Sequence, residues 1–198
     1  AIPGQFTCEI ELPVNFPLFL KPMDAANGNG IDDCSLVNNF DEYENKISSL
    51  YEIFNQPILA EEYLNGQEFT VAMIKTQSKG LSTSIIEVIP PESLNGLRIL
   101  GEKAKKDDTE TFHKTESCEL VRKVRKLAVD VFNLLGVRDF ARIDIKLNEF
   151  GECFFMEANL VPGLTAGSSY FPQAWKISHG LSYDNVIRML IEGGVNRA

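Results

Sequence analysis

The sequence predicts an α+β protein whose neighbouring strands are mostly antiparallel. Three observations predict it. Glu68 to Lys75 and Leu81 to Ile89 are alternating runs joined at Gln77-Ser78-Lys79-Gly80, the pattern of an antiparallel hairpin. Arg138 to Leu147 and Glu152 to Ala158 are two more strands, joined across Asn148 to Gly151. Between these pairs, Glu116 to Leu135 carries Leu120, Val124, Leu127, Ala128, Val131 and Leu135 at helical spacing and runs into Gly136.

The other elements follow in chain order. Phe6 to Leu12 alternates weakly and reads as a strand. Pro17 to Pro22 is a short apolar run closed by Lys21-Pro22, a buried strand with a charged exit. Residues 24–33 are a polar, glycine-rich loop, and Cys34 to Val37 reads as the returning strand. A helix begins at Asp41, with Glu44 three residues on completing a capping box. Its apolar face is Tyr43, Ile47, Leu50, Tyr51 and Phe54, and Asn55 to Pro57 ends it. Ile58 to Leu64 is a strand entering the Asn65-Gly66 turn. Pro90-Pro91 stops the hairpin, residues 101–115 read as a mobile polar loop, and a last helix covers Ser182 to Ile191.

A chain of 198 residues is long enough for one large domain or two small lobes without covalent staples. A net charge of −9 argues against a nucleic-acid partner, which calls for a basic face. It leaves a nucleotide ligand open, since local lysines and a bound divalent cation override the global sign. Cys8, Cys34, Cys118 and Cys153 form no C-x-x-C pair and read as reduced thiols in a reducing compartment. No apolar run approaches the length of a membrane span. The chain opens at Ala1-Ile2-Pro3-Gly4 without a start Met, so an upstream domain is expected.

The chemistry concentrates near residue 150. In Arg142-Ile143-Asp144 both charges fall on one face of a strand, and Glu157 and Asn159 have the same spacing on its neighbour. Two carboxylates and an amide oxygen then converge beside an arginine, a hard-oxygen set that suits Mg²⁺ bound together with a phosphate. The bland alternative is a solvated salt bridge between Arg142 and Asp144. It is the weaker one here, because strands as apolar as these bury their carboxylates, and buried carboxylates need partners. After Asn159 come Pro162-Gly163, a turn that exposes backbone N–H groups able to hold an oxyanion. Lys21 leaves its strand beside Asn27-Gly28-Asn29-Gly30, which could cradle phosphate oxygens or be a plain turn. Ile58 to Thr70 reads on its own as an acidic surface hairpin, though its backbone could meet a base edge and its carboxylates a ribose.

In order and spacing these segments resemble the ATP-grasp superfamily, and specifically D-alanine–D-alanine ligases. The resemblance runs from the PLFLKP strand to the terminal helix. Its most specific part holds Arg142, Asp144, Glu157, Asn159, Pro162, Gly163 and Thr165. It implies a fold of two α+β lobes with antiparallel sheets enclosing the nucleotide. Residues 1–16 are then a connecting strand, 17–63 a small lobe and 64–198 a large lobe with the metal site. It implies a ligase that uses ATP to form an acyl phosphate and then a peptide bond. Asp144, Glu157 and Asn159 would hold two Mg²⁺, with Mn²⁺ able to substitute. Arg142 and the Gly163 N–H would stabilise the oxyanion. Lys21, Asn27, Gly28, Gly30 and Lys103 would meet the phosphates, with Lys105 and Lys106 as rivals to Lys103. Glu61, Glu62 and Leu64 would read adenine, Glu68 the ribose, and Met156 would pack on the base. Ser168 and Ser169 would hold the second amino acid's carboxylate. The partners implied are ATP and small amino acids, without nucleic acid or membrane. The setting is cytoplasmic peptidoglycan synthesis and cell wall biogenesis, and the resemblance admits a homodimer.

Two departures stand out. The family's N-terminal domain has no counterpart here. The phosphate loop reads Ala26-Asn27-Gly28 where the commonest ligases carry Gly-Ser-Ser. The rivals are therefore an ATP-grasp ligase for other amino or hydroxy acids, and a non-catalytic nucleotide-binding module.

Overall fold

In the computed structural model, residues 1–25, 28–93 and 96–195 are described. They fall into two units, one of Ala1–Tyr63 with Pro90–Glu110, the other of Leu64–Ile89 with the rest of the chain from Thr111. The units change over after Tyr63, and residues 90–110 pack with the first of them.

The first unit is a three-stranded antiparallel sheet in the order β2-β1-β3, formed by β1 (Leu18–Pro22), β2 (Leu36–Val37) and β3 (Ile58–Glu62). Helix α1 (Phe40–Phe54) packs on it. Leu18, Leu20, Val37, Tyr43, Ile47, Leu50 and Ile58 form the core, so strand alternation turns Phe19 and Lys21 to the opposite face. The α1 cap stands two residues earlier than expected. Asn39 accepts from the Glu42 N–H at 2.9 Å, and Glu42 accepts from Asn39 Nδ2 at 2.9 Å. This cap lets Phe40 enter the helix and stack on Tyr43.

Three other expectations change. Residues 1–16 contain no strand. The Glu11 carboxylate accepts from the Thr7 N–H at 2.7 Å, which curls the segment into a 3-10 turn at Glu9–Glu11. Asp32 caps a second such turn at Asp33–Ser35, leaving only Leu36–Val37 to pair with β1. Residues 101–115 are structured: α2 (Glu102–Asp107) is anchored by buried Ala104, and the following Thr111–Lys114 is a strand.

The second unit is a five-stranded antiparallel sheet in the order β6-β5-β4-β7-β8. Its strands are β4 (Glu68–Thr76), β5 (Gly80–Ile89), β6 (Thr111–Lys114), β7 (Phe140–Leu147) and β8 (Cys153–Asn159). Helix α3 (Cys118–Leu134) covers one face, where Val124, Ala128 and Phe132 meet Phe69, Val71, Met73, Ile143 and Ile145. Helices α4 (Tyr170–His179) and α5 (Tyr183–Val195) cover part of the other face, over Ala72, Ile74 and Ile86. The sequence reading assigns no element to 170–179. Pro172 sits in the first turn of α4, where its missing N–H would have had no helical partner anyway.

Phe132 is fully buried beneath the sheet. Phe132→Ala is expected to lower stability by about 3–5 kcal/mol, read as a shift of the denaturant midpoint at unchanged slope.

Candidate functional site

Burial alternates along β7: Ala141, Ile143, Ile145 and Leu147 face α3, which turns Arg142, Asp144 and Lys146 to the other face. Pairing with β4 and β8 sets these residues in three rows across the sheet. Ala72, Arg142 and Asn159 form one row, and Thr70, Asp144 and Glu157 the next. Glu68, Lys146 and Phe154 form the third. α4 and α5 cover the apolar end of this face, and the polar rows lie at the other end.

The register slips by one residue between Asp144 and Ile145, leaving Met156 without a partner. This β-bulge separates Glu157, opposite Asp144, from Phe154, opposite Lys146. Strict alternation would have put Phe155 on the Lys146 row and sent Met156 to the α3 side.

The charges in the rows hold one another. Arg142 donates to Asp144 through Nε at 3.1 and 3.2 Å and through Nη2 at 2.8 Å, and Nη2 reaches Glu157 at 3.4 Å. Thr70 Oγ1 donates to Asp144 Oδ1 at 2.5 Å. Asn159 Nδ2 donates to Glu157 at 3.1 Å and to Asp144 at 3.4 Å. Asp144 and Arg142 side chains are only 14% and 16% exposed, whereas Glu157 is 58% exposed. Burial drives the Asp144 carboxyl up to about 6, and the Arg142 guanidinium only partly offsets it. Burial works against the Arg142 charge too, but Asp144, Glu157 and Tyr170 together outweigh it and hold the guanidinium above its ordinary range. The Arg142 guanidinium also lies 5.1 Å from the centre of the Tyr170 ring, which opens α4.

The chain after β8 returns to the same place. Thr165 N–H donates to Ser169 Oγ at 2.9 Å, and Ser169 N–H donates back to Thr165 O at 3.1 Å. A Cβ on Gly163 would come within 2.8 Å of Ser169 Oγ, so only glycine fits there without displacing that hydroxyl. Gly163 is exposed, and its N–H has no partner among the described residues. Ser168, partly buried, precedes Ser169 in the approach to α4.

In the first unit, Lys21 forms an ion pair with Glu61 from the neighbouring strand. Glu62 ends β3, and Leu64 opens the link to β4. Asn27 lies outside the described residues. Gly28 is buried, and a Cβ there would meet the backbone of Gly101 and Glu102 at 3.1 Å. Gly30, at φ +78°, lies against the rings of Phe54 and Pro22. The glycine loop is thus docked on the start of α2, the helix carrying Lys103, Lys105 and Lys106. Lys105 is half-buried and the other two are exposed.

Sequence reasoning passed over Thr70, Lys146, Phe154 and Tyr170. Thr70 had a signal, being a polar residue in an apolar strand two positions from Glu68. Phe154 had none, because only the bulge brings it to this face.

Asp144, Glu157 and Asn159 fit a divalent cation by the chemistry of their donors. Among the described residues no group of three or more His, Cys, Asp or Glu forms a metal cage. Two carboxylates and one amide suit an ion that takes its remaining ligands from water and a phosphate, as Mg²⁺ does. Asn159 must turn its amide over to present oxygen rather than nitrogen.

Comparison with known proteins covers nearly the whole chain. The family described as D-ala D-ala ligase C-terminus matches residues 3–192. A D-alanine–D-alanine ligase of Acetivibrio thermocellus is 30% identical over 96% of this chain and 48% of its own length. One from Petrotoga mobilis is 27% identical over 93% of this chain and 59% of its own. The VanG D-Ala:D-Ser ligase of Enterococcus faecalis superposes with a TM-score of 0.69 at 25% identity, over 92% of this chain and 51% of that one. The D-alanine–D-alanine ligase of Bacillus anthracis complexed with ATP gives 0.66 at 22% identity, over 91% and 53%. The chain spans about half to six tenths of the relatives it matches.

A carboxyl raised from 3.8 to about 6 favours its protonated form in the fold, so its own contribution to stability falls as pH rises through that window. A cation at Asp144 must displace that proton. Mn²⁺ binding, read by water proton relaxation, is expected to strengthen roughly tenfold from pH 5 to pH 7.5 and then level off. The dependence should vanish in Asp144→Asn. A flat profile in the unaltered protein would remove Asp144 from the candidate metal site.

Proposed function

Because the chain belongs to the D-ala D-ala ligase C-terminus family and has the ATP-grasp fold of its solved relatives, we propose that it is the nucleotide-binding and catalytic part of an ATP-dependent ligase joining two amino acids. What carries this reading is the set of Arg142, Asp144, Glu157 and Asn159 in adjacent rows, with the Gly163 N–H nearby in the chain.

In the proposed reaction, a carboxylate oxygen of the first amino acid attacks the γ-phosphorus of ATP, and ADP leaves. The amine of the second amino acid then attacks the acyl carbon, phosphate leaves with the C–O bond, and the amine proton passes to solvent or phosphate. Mg²⁺ bound by Asp144, Glu157 and Asn159 would supply charge neutralisation among the phosphates. Arg142 is fixed by Asp144 and Tyr170, so its guanidinium is pre-organised for charge developing on the acyl oxygen. The Gly163 N–H, without a partner among the described residues, is assigned to the same charge. Lys21, Gly28, Gly30 and Lys103 are assigned to the phosphates, with Asn27 in the same loop. Glu61, Glu62 and Leu64 are assigned to adenine, Met156 to its ring face and Glu68 to the ribose. Ser168 and Ser169 are assigned to the second substrate's carboxylate.

D-alanine in both positions is the first reading of the substrates, with cytoplasmic peptidoglycan synthesis as its setting. Two copies forming a homodimer is compatible with it. A second reading keeps the chemistry and changes the second substrate to another amino or hydroxy acid. It is favoured by Ala26-Asn27-Gly28 in place of Gly-Ser-Ser and by the likeness to a D-Ala:D-Ser ligase.

The full-length protein with ATP and a panel of D- and L-amino acids and D-hydroxy acids separates the readings by substrate-dependent phosphate release. Arg142→Ala is expected to lower kcat by roughly a hundredfold or more, on the scale of one oxyanion donor, while the Kd for ATP changes much less. Parallel losses in both would make Arg142 only the structural partner of Asp144.

A further inference from the structure

We infer that Lys146 is a positioning residue for nucleotide binding, fixing the Glu68 carboxylate for the ribose hydroxyls. The inference rests on the reading of Glu68 as the ribose acceptor. Glu68 and Lys146 stand directly opposite each other across β4 and β7. Lys146 Nζ lies 3.2 Å from Glu68 Oε2, and the two side chains are 16% and 20% exposed. This is a largely desolvated ion pair within the sheet rather than a mobile surface contact, and such a pair holds one geometry. On its other side Lys146 is opposite Phe154, which offers no acceptor, so the row directs the ammonium toward Glu68. The Asp144 row comes next on the same face, where Thr70 and Arg142 already hold that carboxylate.

A carboxylate has two oxygens. Lys146 occupies one and leaves the other to accept from a hydroxyl, with its direction set. A glutamate free to rotate would pay ordering entropy on binding and lose selectivity for the hydroxyl. Lys146 thus acts through Glu68 and confers preference for a ribose over a deoxyribose.

The test is calorimetric binding of Mg·ATP and of its 2′-deoxy and 3′-deoxy analogues to the full-length protein. The quantity read is the ratio of analogue Kd to ATP Kd. One hydrogen bond to a charged acceptor sets that ratio on the order of tenfold in the unaltered protein. Glu68→Ala should bring it close to one. Lys146→Met should lower it at least about threefold, and Lys146→Arg, which keeps the charge, should retain it. If Lys146→Met does not fold, Lys146→Gln is read in the same way. A general loss of charge or stability would weaken all three nucleotides together and leave the ratio unchanged. That result in Lys146→Met, beside a collapsed ratio in Glu68→Ala, overturns the inference alone. An unaltered ratio in Glu68→Ala, or none to begin with, overturns the ribose reading and the inference with it.

Discussion

The register of β7 against β8 is the constraint on which the rest of this site depends. It sets Asp144 opposite Glu157 and Arg142 opposite Asn159, and the bulge after Asp144 fixes which residues lie beyond them. A slip of one residue along β8 would turn Glu157 and Asn159 toward α3, because side chains alternate between faces. The apolar halves of both strands oppose such a slip. Ile143, Ile145 and Leu147 are buried against α3, and Ala158 and Cys153 pack with them. Burial on one face of the sheet thus aligns the charges on the other.

The two carboxylates stay close because each has donors at hand. Arg142 is shared between them, Asn159 donates to both, and Thr70 donates to Asp144 from β4. Burial still raises the Asp144 carboxyl, so the donors do not fully replace the water it has lost. A second positive charge at that position would do so, which is why this arrangement suits a cation. The first unit holds its own charges in the same way, by pairing: Lys21 with Glu61, and buried Lys46 with Asp32 at 2.8 Å. Asp32 caps the turn that follows the glycine loop, and Ile31 O accepts from the Glu102 N–H at 3.3 Å, so the loop is tied to both α1 and α2.

The fold class and its long elements were legible in the sequence because they follow from periodicity. α3 and the strand pairs appear where apolar spacing places them, within a few residues. Short elements were not legible. The 3-10 turn at Glu9–Glu11 depends on a side chain, Glu11, outbidding strand pairing, and the α1 cap depends on Asn39 rather than on the equally plausible Asp41. Helix α2 buries only one side chain, Ala104, too little pattern to see in a polar stretch. In the candidate site, spacing alone put Arg142 with Asp144 and Glu157 with Asn159. What spacing could not give was the cross-strand partner, hence the ion pair of Lys146 with Glu68 and the reach of Tyr170 over Arg142.

The direct measurement is the affinity of the full-length protein for ATP in excess Mg²⁺ and in excess chelator. If the strand register has gathered Asp144 and Glu157 for a cation shared with the phosphates, removing the metal leaves those carboxylates facing the like charge of ATP. Binding should then be lost or weakened by at least about tenfold, the scale of one unneutralised close charge. Equal affinity with and without metal would contradict it, and would leave the Arg142, Asp144 and Glu157 cluster as a structural ion pair.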